Sequence, residues 1–384
     1  MRALQHGCYL ADRPMKRLVL VGGGHAHLSV LSALAREKPT DMEVVLVTPS
    51  SHQIYSGMLP GWISGHYTRE QCQIDLRPLV QAANVRMVLD HIVGMDADRC
   101  CVMLSDGRHI EYDTLSLDVG SEIDISWLEM TGEKLLPAKP LDHFFNAWPK
   151  ILAAAKSHYG YRLAVVGGGA AGVEIALAVR YAFTQARVAG HVDLVTSASG
   201  LLPGHNSGVK HRVAGALAKA LIAVHGLRGT GVPEGVMLSD ASLIPADCVI
   251  AATGARAPSW LMLSHLMLDE YGYIAVDKRH LSHSHPNVFA AGDVCSRQDI
   301  AMARSGVHAV HAGPMLASNL LAVGAGQPLK TYQPRRRSLY LLACGPKHAI
   351  ASWGGFSAGG RWVWHWKDWI DRRFVARFSN PQRL

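Results

Sequence analysis

Four consecutive apolar residues, Leu18-Val19-Leu20-Val21, run straight into Gly22-Gly23-Gly24, and beyond them Leu28, Val30, Leu31 and Leu34 recur at the spacing of one helix face. The pattern predicts a short buried strand over residues 17–21, a tight turn and an amphipathic helix. It occurs a second time. Residues 161–166 read as a strand that meets Gly167-Gly168-Gly169-Ala170-Ala171-Gly172-Val173-Glu174, after which Ala, Ile, Leu and Val dominate another helical stretch. Two such units about 145 residues apart predict an α/β chain with two Rossmann-like dinucleotide-binding domains of three-layer architecture, rather than one extended sheet. Between them, residues 85–112 alternate β-branched runs with Asp and Gly turns, as a β-meander does.

Each turn carries candidate chemistry. Glycine permits the backbone angles of the turn, and a second glycine lets the backbone approach a pyrophosphate seated on the helix N-terminus. Gly167, Gly169 and Gly172 complete the spaced triplet in its strand-turn-helix context and predict a nucleotide site. In the first turn Gly22 and Gly24 fit, with His25 and Ala26 opening the helix. His27 stands where the third glycine belongs, which predicts a slightly wider separation of helix and strand; taken alone, this turn is equally compatible with a plain structural role. The acidic residue that would bind a ribose hydroxyl is missing, because residues 44–47 run into Thr48-Pro49-Ser50. Hydroxyls, Thr48 first, replace the carboxylate there, or the ribose is held elsewhere.

Later in the chain, Asn287-Val288-Phe289-Ala290-Ala291-Gly292-Asp293-Val294 reads as a strand ending in Gly-Asp, with a helix from about Gly306. This stretch resembles the second FAD fingerprint of the pyridine nucleotide-disulfide oxidoreductase superfamily. The resemblance implies that Asp293, with Gly292, holds the ribityl and pyrophosphate region of FAD, and that the next helix points its N-terminus at the flavin ring. Residues 113–121, including Gly120, resemble the strand closing the FAD half, and residues 247–254, ending in Thr253-Gly254, its counterpart closing the NAD half. Tyr55-Ser56-Gly57-Met58-Leu59-Pro60-Gly61, Gly65-His66-Tyr67 and residues 366–374 are similar to type II NADH dehydrogenases, most of all to a branch sometimes fused to selenide, water dikinase. That likeness implies FAD and either NADH or NADPH as cofactors, and a division into an FAD-binding domain of residues 15–124 and 266–328, an NAD(P)-binding domain of residues 125–265, and a C-terminal α+β region of residues 329–384. Residues 1–14 are expected to be a disordered extension ahead of a functional start at Met15.

The acceptor is less defined. Disulfide reductases of the superfamily need a close cysteine pair, and none of the seven cysteines forms a C-x-x-C or C-x-x-x-x-C; metal-ligand spacing is also missing, so no metal site is expected. A sulfide- or selenide-type quinone reductase using Cys101, Cys295 or Cys344 is an alternative, as is a non-catalytic flavin-binding partner in selenium metabolism. Without a thiol relay, the scheme is hydride from NAD(P)H to flavin and electrons onward to a quinone-type acceptor. The resemblance implies that Glu174 faces nicotinamide and flavin, although a first-turn carboxylate favoured by the helix dipole reads the same way. The family's quinone pattern A-Q-x-A-x-Q aligns with residues 303–308, where Arg304 and His308 replace both glutamines; His308 remains able to deliver protons to a reduced quinone. Thr196-Ser197-Ala198 offers neither the acid that favours NADH nor the arginine that favours NADPH.

Composition changes the picture only at the end of the chain. The sequence is 49% hydrophobic and only 18% charged, with a net charge of +8. Residues 329–384 hold 11 Lys or Arg against Asp368 and Asp371, a net +9, so residues 1–328, with 27 basic and 28 acidic side chains, are nearly neutral. Trp353, Trp362, Trp364, Trp366 and Trp369 share this basic segment, and on a helix Trp362, Trp366, Trp369, Ile370 and Phe374 fall on one face. A basic, Trp-rich amphipathic helix predicts a peripheral membrane contact; packing on the FAD domain or against a homodimer partner is the other reading, and truncation after Gly360 is expected to spare the flavin. No secretory h-region or membrane-spanning stretch occurs, so a cytoplasmic protein, peripheral on the inner membrane face, is expected. Nucleic acid is not an expected partner.

Overall fold

The computed structural model describes residues 15–302, 306–335 and 337–379. Residues 1–14 and the aligned residues 303–305 lie outside these. Lys16–Val21 (β1) forms the centre of a parallel sheet. It is flanked by Met42–Thr48 (β2) and Arg86–Leu89 (β3) on one side, and by Thr114–Leu117 (β4) and Val288–Ala290 on the other. Alternation along β1 sets the layers. Leu18 and Leu20 join Val44 and Leu46 in the core beneath His25–Glu37 (α1), whereas Val19 and Val21 join Val45, Val47, Val102 and Ile110 in a core on the opposite face. That opposite face is covered by the antiparallel meander Ile92–Asp96, Cys101–Leu104 and His109–Glu111.

The predicted meander therefore starts later than residue 85, because Arg86–Leu89 pairs in parallel with β2 at the sheet edge. Cys100 sits in the left-handed turn before Cys101, at φ 50°.

The second unit repeats the plan. Its parallel sheet runs Leu135–Pro137 (β5), Cys248–Ala251, Arg162–Val166 (β6), His191–Val195 (β7), Ala223–His225 (β8). Ala170–Gln185 (α2) and Ser207–Lys219 (α3) follow β6 and β7 in the chain. An antiparallel trio over Gly229–Val232, Gly235–Leu238 and Leu243–Pro245 packs Val236, Leu238 and Ile244 on the other face. The fold is thus α/β, with two parallel sheets of Rossmann type.

After Gly306–Gly324 (α4), three antiparallel strands, Leu339–Ala343 (β9), Ala349–Trp353 (β10) and Phe356–Gly360 (β11), lead into Arg361–Ser379 (α5). The α5 helix buries Val363, Trp364, Lys367, Asp371, Val375 and Phe378, and leaves Trp362, Trp366 and Trp369 exposed.

Candidate functional site

At the first turn, Gly22 adopts φ +91° and Gly24 caps α1. His27 fills, fully buried, the place where the third glycine of the pattern belongs. Its Nδ1 lies 2.6 Å from the Gly22 carbonyl and its Nε2 2.8 Å from Ser116 Oγ, so the imidazole ties the turn to β4; burial lowers its pKa to about 4. Asp118, just past β4, accepts hydrogen bonds from the Ala26 and His27 amides at 2.8 and 2.9 Å. Burial pushes this carboxyl up to about 8 against those two amides, with the charge of Asp293 adding to the rise. A Cβ at Gly24 would collide with the Asp118 carboxyl and carbonyl. From sequence Asp118 falls only within the closing-strand stretch 113–121; the available signal was an acid directly behind the short strand Thr114–Leu117.

Facing this turn are Gly292, at φ 74°, and Asp293. Asp293 Oδ2 lies 3.4 Å from Lys139 Nζ, which also reaches Ser121 Oγ at 3.2 Å. Asp293 Oδ1 and His25 Nε2 are both buried without a hydrogen-bond partner. Burial lowers the His25 pKa to about 4, opposed by Asp293 and assisted by Lys139, so the ring is neutral at physiological pH. The His25 ring centroid is 5.5 Å from that of Tyr55 and 5.6 Å from that of Phe374, and Tyr55 and Phe374 stack at 4.6 Å. Gly306, the first residue of α4, approaches the His25 ring. Two orphaned buried polar atoms beside a helix start and stacked rings fit a polar, planar ligand, as FAD requires. Thr48 is buried at the end of β2, its Oγ1 donating to Ser50 O at 3.1 Å, and Gly120 adopts φ 74° beyond β4.

In the second unit, Gly167 is at φ 140°, and a Cβ on Gly172 would collide with the Gly167 carbonyl, so this third glycine lets helix and turn touch. A Cβ on Gly169 would meet nothing within 4 Å. Thr253 Oγ1 donates to Asp124 O at 2.6 Å, and the Asp124 amide to Gly254 O at 3.2 Å. Beside them, Glu122–Ile123 pairs antiparallel with Ala255–Arg256, joining the segments that close the two sheets.

Glu174, the fifth residue of α2 and so past its first turn, accepts from the Ala343 amide of β9 at 2.7 Å. Burial raises its pKa to about 7, opposed by the charge of Lys367. Lys367 Nζ donates to Gly57 O and to Asp371 Oδ2, each at 2.7 Å, and Tyr55 hydrogen-bonds Asp371. Three groups of the tail helix, Lys367, Asp371 and Phe374, are therefore part of the same pocket as His25, Tyr55 and Glu174. The tail helix packs on the fold, and Phe374 leaves the predicted outer stripe to stack on Tyr55. Truncation after Gly360 would remove all three side chains from this cluster. Tyr55, Lys139, Lys367 and Asp371 carry no site role in the sequence analysis, because Tyr55 meets Asp371 across 316 residues, Lys367 meets Gly57 across 310 and Lys139 meets Asp293 across 154. His308, two residues along α4 from Gly306, places its Nδ1 3.5 Å from Tyr332 Oη, and no described contact joins it to Glu174. Burial lowers its pKa, with His311 adding to the effect.

Two glycine-turn units on separate parallel sheets, with orphaned buried polar atoms beside the first, are the frame of a two-nucleotide flavoprotein. The chain belongs to the pyridine nucleotide-disulphide oxidoreductase family, whose model matches residues 16–322. Its cofactors are FAD and a nicotinamide nucleotide, and its activity is that of a flavin-dependent NAD(P)H oxidoreductase. It is 24% identical over 295 residues to the NADH dehydrogenase-like protein YutJ of Bacillus subtilis (strain 168), covering 73% of this chain and 77% of that one. In fold it is similar to the sulfide:quinone oxidoreductase of Aquifex aeolicus (TM-score 0.79, 16% identity, covering 95% and 92% of the two chains). It is also similar to NDH2 from Plasmodium falciparum in complex with NADH (TM-score 0.79, 12% identity, 96% and 98%). These relatives are consistent with a type II NADH dehydrogenase-like branch. No helix of the described residues is long and apolar enough to cross a membrane.

Proposed function

We propose that the chain is a membrane-peripheral NAD(P)H dehydrogenase that reduces a quinone-type acceptor. The observation that carries the reading is Glu174: one acid follows the nucleotide loop, is held by Ala343 of the C-terminal sheet, and feels the charge of Lys367 from the tail helix. In this reading Gly22, Gly24, His25, Ala26, Thr48, Gly57, Gly120, Gly292 and Asp293 hold FAD, and Gly167, Gly169, Gly172, Thr253 and Gly254 hold the nicotinamide nucleotide. Residues 15–124 and 266–328 form the FAD-binding domain and residues 125–265 the NAD(P)-binding domain. FAD, held by these residues, would supply the redox chemistry that links NAD(P)H to the acceptor. The chain's own groups bind and move protons. Helix starts offer amides to the pyrophosphates, and Lys139 balances charge beside Asp293. Glu174, with its pKa about 7, exists in both protonation states near neutrality and suits proton delivery to a reduced quinone. His308 is a second proton donor in this reading.

Glu174→Gln is expected to lower quinone turnover by roughly 10²–10⁴-fold with flavin content unchanged. As the acid loses its proton, wild-type turnover should fall as pH rises through about 7, and the Gln variant should lack that inflection. A pH–rate profile with the same inflection in both proteins assigns the proton to another group.

The exposed face of α5 supports the membrane contact. Trp362 and Trp366 stack at 6.4 Å, Arg373 lies over the Trp369 ring, and Trp353 and Phe356 are exposed on the adjoining hairpin. An apolar stripe with basic neighbours lies in the head-group layer of an anionic bilayer. Replacing Trp362, Trp366 and Trp369 together by Ser should weaken co-sedimentation with phosphatidylserine liposomes by about tenfold or more, while soluble-dye reduction persists. Equal binding by the triple variant removes the bilayer from this surface.

A sulfide-type reaction needs a reactive thiolate, and burial pushes the Cys344 thiol up to about 12, with Glu174 adding to the rise. Stopped-flow mixing of the oxidised holoprotein with NADH, NADPH and sulfide separates the readings. Rapid bleaching by a nicotinamide nucleotide is expected; bleaching by sulfide alone replaces the proposal with the cysteine-dependent one.

A further inference from the structure

A cavity of about 640 Å³ lies between α2, α3 and the C-terminal sheet, and none of the glycine-turn residues lines it. Its size falls within the roughly 300–1,000 Å³ of small-molecule sites. Its wall is apolar, with Leu177 and Ile350 buried and Ala216 beside them. Its rim is basic: Arg180, Arg212, Lys219, His348 and Arg361 line the cavity, and no carboxylate does. Arg180 donates to Gly190 O and Arg212 weakly to Ser357 Oγ, but among the described residues none of the rim cations is found in an ion pair. Lys219 and Arg212 both face His348, whose pKa burial lowers first and these two charges lower further. A concavity with low-dielectric walls and one sign of charge at its mouth focuses the field onto an anion.

We propose that this cavity binds a single-chain amphiphile with an anionic head group, its chain against Leu177, Ala216 and Ile350 and its head between Arg212, Lys219 and Arg361. Guanidinium forks match carboxylate or phosphate oxygens, and the apolar wall takes a chain that a free inorganic anion lacks. Arg361 is followed directly by exposed Trp362, and Gly359 of the lining shares its strand with exposed Phe356, so the mouth adjoins the aromatic surface of the tail. The site stands independently of the acceptor assigned above.

The test is calorimetric titration of the flavin-loaded protein, below the critical micelle concentration, with palmitate, lysophosphatidate and hexadecanol. One anionic amphiphile per chain is expected to bind, and whichever of the two acids binds tighter identifies the head group. Arg212→Glu combined with Lys219→Glu should weaken that binding by at least about tenfold, since charge-assisted hydrogen bonds are replaced by repulsion. Ala216→Trp, which fills the cavity and leaves the rim charges in number unchanged, should abolish it. Flavin absorbance and dye reduction should survive in both variants. Hexadecanol binding as tightly as the acids, or an unchanged dissociation constant in both variants, overturns the proposal.

Discussion

Gly169→Val is expected to give a folded, yellow holoprotein that neither NADH nor NADPH reduces. Gly169 has φ −76°, which any residue tolerates, and a Cβ there meets nothing within 4 Å, so the fold accepts the side chain. The methyl groups instead project in front of the N-terminus of α2, where the pyrophosphate must approach the amides. Loss of two charge-assisted hydrogen bonds, each worth about 1.5–3 kcal/mol, corresponds to a fall of roughly 10²–10⁴ in flavin reduction at fixed nucleotide. Gly24→Val, at the equivalent place in the first turn, should behave differently. There the new side chain collides with Asp118, which itself caps α1, so the variant is expected to emerge as apoprotein. Visible absorbance per chain and stopped-flow reduction measure the two effects. Wild-type reduction of Gly169→Val makes the second turn purely structural.

The contrast between those two glycines marks the limit of what the sequence makes legible. Both strand-turn-helix units, and the strand ending in Gly292-Asp293, are local patterns within about 20 residues, and apolar runs interrupted by glycine have few other ways to fold. What occupies the space in front of each turn is not local. Asp118 reaches Ala26 and His27 across 92 and 91 residues, and only the register of β4 against β1 brings it there. His27, a departure from the glycine pattern, finds its compensation in Ser116, also by that register. The tail shows the same division. Periodicity correctly groups Trp362, Trp366 and Trp369, yet only tertiary packing decides that Phe374 turns inward onto Tyr55 and that Lys367, in the basic segment, is 10% exposed.

That buried lysine carries the second large effect. Lys367 Nζ pairs with Asp371 Oδ2 at 2.7 Å, with the two side chains 10% and 5% exposed, and it lies near Glu174. Lys367→Met removes the cation and leaves two buried carboxyls, at a cost of about 3–5 kcal/mol for an uncompensated buried charge. The loss depends on pH in a direction that the shifts fix. Burial raises both carboxyls, so each binds its proton more tightly folded than unfolded, and stability falls as pH rises from the unfolded carboxylate range through the folded value, about 7 for Glu174. Lys367 opposes both shifts, so its removal extends this falling window upward. The variant should therefore approach wild type at pH 5, below the Glu174 value of about 7, and show its full deficit at pH 8. Adding Asp371→Leu should recover much of that deficit, because an apolar pair of similar volume needs no counter-charge. Denaturation midpoints and flavin release at the two pH values provide the measurement; a Lys367→Met protein as stable as wild type at pH 8, or equally impaired at both, shows that the lysine does not neutralise these acids.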